Sequence, residues 1–150
     1  MVQTQHAEGA LNGEGARLYG GRWNHKGTPL VYAASSLALA ALELLVHLEN
    51  TQILEAYVGI AIEFPEEQCH TLAPARLPAD WASFPTPNST REIGTQWARQ
   101  GDSMVLAVPS VLVPVEMNFL FNPQHPDFAH LKVGKPLAFH FDPRLMKRLK

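Results

Sequence analysis

The sequence predicts one α+β domain, a mixed β-sheet core with a few flanking helices. Three observations lead there. The 150 residues, 46% of them apolar, suffice for one core but crowd a second. Folding at this size buries roughly 70% of the extended surface, so no covalent staple is needed. Short β-type runs alternate with segments of helical period and gather in the second half of the chain. Finally, 12 prolines in 150 residues, above the usual ~5%, bound those runs closely. With only 17% charged residues against a typical ~25%, a coiled coil and a charge-rich disordered chain are excluded.

The first informative stretch is Gly13–Gly27, G-E-G-A-R-L-Y-G-G-R-W-N-H-K-G, with five glycines in 15 residues. So much glycine implies tight turns or close backbone approach to a ligand. It matches neither a Walker loop nor G-x-G-x-x-G. Leu30–Ala34 follows Thr28-Pro29 and reads as a short strand. A helix begins after Ser35 or Ser36, either of which can cap it. Leu37, Ala40, Ala41, Leu44, Leu45 and Leu48 form a full helical stripe, and Leu39, Leu42 and Val46 add apolar surface opposite. The helix is therefore expected to be apolar nearly all round and buried. Only Glu43 and His47 are polar within it, four residues apart on one face.

Leu54–Phe64 alternates with period 2 and predicts a strand. Pro65–Pro87 carries five prolines and predicts a long surface connection. Ser89-Thr-Arg-Glu92 is a capping-box pattern opening a helix that Gly101 ends. Met104–Val108, Val111–Val115 and Met117–Phe121 are apolar β-type runs, with Pro109-Ser110 between the first two. The loop Asn122–Pro126 comes next. Leu137–Phe141 predicts a last strand, and Asp142-Pro143 caps a short C-terminal helix. The expectation is about six strands and three helices.

Charge and cysteine narrow the function classes. Twelve Lys plus Arg against 14 Asp plus Glu leave a formal charge of −2, with no basic excess to neutralise a phosphate backbone. A direct nucleic-acid partner is therefore not expected, which disfavours an RNA-cleaving enzyme. Cys69 has no second cysteine to pair with, and Cys69-His70 lacks zinc-ligand spacing. Met1–Asn12 lacks the pattern of a signal peptide. Leu37–Leu48, interrupted by Glu43 and His47, is too short to span a bilayer. A soluble, reduced, cytoplasmic protein is expected, with no membrane partner and no metal.

No nucleophile device such as G-x-S-x-G and no H-E-x-x-H is present. What remains is a set of polar residues in apolar surroundings. Glu43 costs several kcal/mol inside a buried helix unless paired, hydrated or facing a cavity. It fits either a narrow solvent-facing edge shared with His47 or a carboxylate aimed into a cleft. Arg22 stands in the glycine-rich segment beside Trp23 and either stacks on it or binds phosphate or carboxylate with its planar fork. Tyr32 is an edge or core aromatic, or a ligand contact. Ser110 is a turn residue, or a hydroxyl facing a pocket. Asn118, Asn122 and His125 read as loop punctuation or ligand contacts, and His47 as a partner of Glu43. The set Arg, Tyr, Glu and Ser suits binding a small anion and stabilising positive charge at a reacting carbon.

These residues, in this order, resemble a known family. The run Gly13–Glu49 closely resembles RES-domain toxins, the toxin halves of bacterial RES–Xre toxin–antitoxin pairs, named for Arg, Glu and Ser. Arg22 in G-G-R-W-N, Glu43 in A-L-E-L-L-V-H and Ser110 in V-P-S match those positions. Tyr32 matches the family's tyrosine in the following strand. Leu106–Phe128 and Phe139–Leu145 also fit, so the resemblance covers most of the chain. One departure is visible: the N-terminal segment with Trp-Arg that members commonly carry is missing before Gln5, and Leu11 stands where an aromatic is frequent. A first strand is expected to be absent or shortened.

The resemblance implies one RES-type domain over residues 1–150 with a fold similar to ADP-ribosyltransferases. It implies NAD+ as substrate rather than as resident cofactor, and cleavage of the nicotinamide–ribose bond by a glycohydrolase or phosphorylase. Glu43 would stabilise the oxocarbenium charge. Arg22 would hold the pyrophosphate or position the ribose, Tyr32 would stack on nicotinamide and Ser110 would hydrogen-bond substrate. Trp23, Asn24 and Asn118 join the expected substrate contacts. An Xre-type antitoxin and a homodimer within the toxin–antitoxin complex are the implied protein partners, and sparse charge leaves apolar surface for the antitoxin to cover. Two rival readings are a mono-ADP-ribosyltransferase acting on a protein and a non-catalytic binding module.

Overall fold

The computed structural model describes residues 1–48 and 56–148. The first part of the expected strand over Leu54–Phe64 lies outside them. The elements are, in order, β1 (Val2–Gln3), α1 (Glu14–Tyr19), β2 (Val31–Ala34), α2 (Leu37–Leu45), β3 (Tyr57–Gly59) and β4 (Ile62–Glu63). Then come β5 (Cys69–Thr71), α3 (Asn88–Gln100), β6 (Val105–Pro109), β7 (Met117–Phe121), β8 (Lys132–Val133) and β9 (Leu137–Phe139). Short 3₁₀ turns fill several connections, including Pro143–Arg148 after Asp142. The fold class is α+β with a mixed sheet, as the periodicities require.

The largest sheet has the order β2-β7-β6-β5, antiparallel except for the parallel β5–β6 pair. Its register explains both layers of the core. Leu106 faces Leu120 across β6–β7, and with Val108, Trp23, Leu30, Leu72 and Trp97 they form one apolar cluster, on the side that α3 covers. Val105 faces Phe121, and with Val31 and Met104 they form a second cluster on the opposite face. This is the period-2 rule in one sheet: odd and even positions of β6 feed different cores. Because both faces are covered, Val105–Val108 shows no alternation at all.

The same rule places the site. Tyr32 pairs with Leu120, and Ala34 with Asn118. Tyr32 and Asn118 therefore stand on the face whose centre is the Trp23–Trp97 core, toward its end. The three-stranded sheet β1-β3-β9 lies apart. Ala41, Leu44, Leu45 and Leu48 pack around its Tyr57 and around Phe141, so one side of α2 is anchored there. The first strand is present and two residues long.

Several expectations are corrected. The α2 helix starts where expected, with Ser36 accepting a hydrogen bond from the Leu39 amide, but it is not buried all round. Leu39 alone is fully covered, while Leu42 and Val46 are exposed. The helix forms a single layer beside the small sheet, and no described element packs on its outer side. The expected Leu54–Phe64 strand breaks at Ile60–Ala61, so that β3 joins β1 and β9 while β4 pairs with β8. Tyr57 and Val58 are both buried, which an alternating one-sided strand would not give. The proline-rich connection contains β5, whose parallel neighbour lies 35 or so residues on, a pairing that local sequence does not encode.

Val111–Val115 is a turn region, not a strand. Its apolar side chains include the exposed Val115, and the Val113 carbonyl accepts a turn hydrogen bond from Glu116. Ser89 does not cap α3. The cap position is Pro87, and the Ser89 hydroxyl donates instead to Asp80 at 2.7 Å. The glycine-rich segment holds turns, as expected, but also α1. Among the described residues, no helix is long and apolar enough to cross a membrane.

Candidate active site

A cleft of about 1050 Å³ opens beside the end of the large sheet. Arg22, Tyr32, Glu43, His47, Arg91 and Asn118 line it, contributed by the glycine-rich segment, β2, α2, α3 and β7. Residues separated by nearly a hundred positions thus converge on one space. Among the described residues, no group of three or more His, Cys, Asp or Glu side chains could hold a metal.

The acidic wall is Glu43. Ser110 Oγ donates to Glu43 Oε1 at 2.7 Å, and Asn118 Nδ2 donates to the same oxygen at 2.6 Å. Both are hydrogen bonds to a charged acceptor, the stronger kind. No described residue donates to Oε2, which leaves that oxygen for whatever occupies the cleft. The helix brings Glu43 to the cleft because Leu39, one turn earlier, is buried on the same side.

Ser110 requires a correction. It is fully buried and is not part of the cleft wall. Its hydroxyl gives its proton to Glu43 and accepts the Leu112 and Val113 amides, each at 3.1 Å. One donor and two lone pairs are all a serine has, so none is left for substrate. Ser110 holds the Glu43 carboxylate and does not itself face the cleft. His47 is exposed in the cleft wall and makes no described bond to Glu43, so the expected pair does not form.

The basic wall is built on glycine. Gly21 and Asn24 form an isolated β-bridge, and a Cβ on Gly21 would lie 2.6 Å from the Tyr32 hydroxyl. Only glycine admits that approach. The turn projects Arg22, whose Nη1 donates to the Trp81 and Ser83 carbonyls at 2.8 and 3.1 Å. Burial pushes the Arg22 guanidinium pKa down, and the nearby charge of Glu43 opposes this. An arginine still keeps its charge under such a shift.

Tyr32 has two ends in different environments. Its hydroxyl donates to Asn24 Oδ1 at 2.6 Å and accepts from the Trp23 amide at 3.1 Å. Burial of that end drives the phenol well above its ordinary range, so it stays neutral. Yet 38% of the residue is exposed, because the ring faces the cleft. A fixed ring with an open face is what stacking on a flat heterocycle requires.

Two further expected contacts are corrected. Asn24 is fully buried, does not line the cleft, and donates to the Ala16, His25 and Thr28 carbonyls at 2.9–3.1 Å. It shapes the turn and anchors Tyr32. Trp23 borders the cleft but is 2% exposed, packed in the sheet core, and so offers no face for stacking. Asn118 does line the cleft, and its buried Oδ1 has no hydrogen-bond partner. Asn122 and His125 serve their loop: Asn122 Nδ2 donates to the Ala98 carbonyl, and His125 Nδ1 accepts from the Asp127 amide.

Arg91 was not among the expected residues. A signal for it exists in α3, where Gly94 and Thr95 are buried against the glycine-rich segment. A Cβ on Gly94 would lie 1.9 Å from the Trp23 carbonyl oxygen, and Thr95 Oγ1 accepts from the His25 amide. Positions three and four before these share that face, which directs Arg91 toward Arg22.

The RES domain family matches residues 2–142 of the chain. A Yersinia enterocolitica protein named Toxin Res is 43% identical over 146 residues, covering 97% of this chain and 96% of its own. A Sphingobium protein named Prs ADP-ribosylating toxin is 42% identical and covers 92% of this chain and 88% of its own. Among solved structures, the crystal structure of the M. tuberculosis MbcT–MbcA toxin–antitoxin complex contains a chain that superposes with a TM-score of 0.67. It covers 93% of this chain and 81% of that one at 21% identity, a likeness of fold.

Proposed function

From the premise that this chain belongs to the RES domain family, we propose that it is the toxin of a bacterial toxin–antitoxin pair. Its reaction would be cleavage of the nicotinamide–ribose bond of NAD+. The observation that carries this reading is Glu43, a carboxylate braced at one oxygen by Ser110 and Asn118 and open to the cleft at the other. The bond from the nicotinamide nitrogen to the ribose carbon breaks with its electron pair leaving on nicotinamide. Positive charge develops on the ribose, and a preorganised carboxylate beside it lowers the barrier. The acceptor oxygen then bonds to that carbon. With water the products are ADP-ribose, nicotinamide and a proton; with phosphate, nicotinamide leaves and ADP-ribose phosphorylated at that same ribose carbon forms instead.

In this reading the Tyr32 ring stacks on nicotinamide, Arg22 holds the diphosphate or the ribose, and Asn118 and Ser110 keep Glu43 aimed. NAD+ is consumed rather than kept, and no metal takes part. The toxin would be neutralised by a cognate antitoxin of the Xre type and act in the cytoplasm, as a homodimer within the complex. The exposed Leu42 and Val46 are apolar surface that such a partner would cover.

The Sphingobium relative's name favours a second reading, transfer of ADP-ribose to a protein side chain through the same carbocation. One experiment separates them. Purified protein is incubated with NAD+ labelled in the adenylate half, with and without phosphate, and nicotinamide is quantified by chromatography. Free labelled product supports the hydrolase or phosphorylase, and label retained on added cell protein supports the transferase. Absence of nicotinamide release under every condition rejects both. Glu43→Gln keeps the acceptor for Ser110 but removes the charge, and release should fall about 10²–10³-fold.

A further inference from the structure

We propose that Arg91 and Arg22 form a two-armed clamp for a diphosphate, making the cleft selective for dinucleotides over nucleosides. The inference deepens the NAD+ reading and rests on it for the identity of the whole substrate. It starts from the two arginines that line the cleft, Arg22 and Arg91. Neither makes a salt bridge among the described residues, whose arginine–carboxylate pairs are Arg17–Glu14 and Arg144–Asp142.

Arg91 makes only long contacts, Nε to the Gly21 carbonyl and Nη1 to Asn88 Oδ1, both at 3.4 Å. At that length a hydrogen bond is weak, and most of the guanidinium fork remains available. Arg22 commits Nη1 to two carbonyls and leaves Nε and Nη2 without a described partner. Arg22 and Arg91 also act on each other as like charges, and both act on Tyr32. Glu43 is the one carboxylate in the described cleft wall, and its oxygens are engaged by Ser110 and Asn118 or turned to the cleft.

The two guanidinium groups act on each other as like charges, and Glu43 offsets this at Arg22 but is not paired with either arginine. A dianion placed between them removes that repulsion and accepts two planar forks at once. A diphosphate carries the charge and the number of acceptors to meet both. A nucleoside lacks both. Their anchors differ: Arg22 is tied to Trp81 and Ser83, whereas Arg91 rises from α3, which Gly94 seats against Trp23. The clamp therefore spans two elements.

The test uses the whole chain and Arg91→Gln. Inorganic pyrophosphate is titrated calorimetrically into each protein, a measurement independent of turnover. Wild type should bind it at least 10-fold more tightly than the variant. In kinetics, the KM for NAD+ should rise about 10-fold or more while kcat stays within about 3-fold. Turnover of nicotinamide riboside, which has no phosphate, should be equal in both proteins. Equal pyrophosphate affinity in the two proteins overturns the clamp. So does a parallel loss of nicotinamide riboside turnover, which would mean that Arg91 merely supports the cleft through Gly21. Should Arg91→Gln fail to fold, Arg91→Lys keeps the charge without the fork and must still weaken pyrophosphate binding. If wild type releases no nicotinamide yet binds pyrophosphate through Arg91, the NAD+ reading fails and the clamp stands.

Discussion

The two walls of the cleft are built on different physical plans. On the basic wall, Asn24 ties Tyr32 to the Ala16, His25 and Thr28 carbonyls, all beneath a surface that Trp23 and α3 close. On the acidic wall, Glu43 comes from a helix with an exposed outer face, and two donors on β7 and the adjoining turn hold it. One wall is part of the core; the other is a carboxylate braced from across the sheet. A binding surface can be rigid throughout, because it must hold a defined shape. A group that stabilises developing charge needs one atom fixed and another left uncommitted.

Three substitutions would break or sharpen that contrast. The largest effect should come from Asn24→Ala, which strands the Tyr32 hydroxyl and several buried carbonyls. A loss of about 3 kcal/mol is expected, seen as a fall of roughly 6–12 °C in Tm. A Tm unchanged within a degree would show that the basic wall is not part of the core. Next, Ser110→Ala should lower kcat for nicotinamide release about tenfold, or ~1.4 kcal/mol of barrier, with KM nearly unchanged. It also orphans the Leu112 and Val113 amides, so about 1 kcal/mol of stability should go with it. A rise in KM with kcat intact would instead assign Ser110 to substrate binding. The smallest effect should be that of Leu42→Gln on the outer face of α2, within about 0.5 kcal/mol in denaturant unfolding. A larger loss would restore the fully buried helix that its composition predicts.

The legible parts of the fold are those whose signal is local. Ser36 before an apolar stripe marks the start of α2, Gly101 the end of α3, and Met104–Val108 and Met117–Phe121 declare themselves as apolar β-type runs. What misled was chemistry that serves distant partners. Ser89 has the composition of a cap and bonds Asp80 instead. Val111–Val115 is as apolar as a strand, yet its turn places the two amides that hold Ser110. At the site, Arg22, Tyr32, Glu43 and Ser110 could be singled out as polar or aromatic residues in apolar or glycine-rich surroundings. Their division of labour could not, because a serine's single proton and a tyrosine's two ends take their meaning from neighbours far away in the chain. Arg91 stayed hidden because one position in a polar helix looks like any other until the buried face of that helix is known.

Residue type, periodicity and order were therefore enough for an α+β domain and for the short list of groups able to handle a small anion and a developing cation. Which of them face the cleft, which are spent on each other and which charges lack a partner followed from packing alone. The reason is physical: a side chain's chemistry is intrinsic, but its availability depends on which hydrogen bonds and charges surround it. Those surroundings are assembled from β2, α2, α3 and β7 only when the chain has folded.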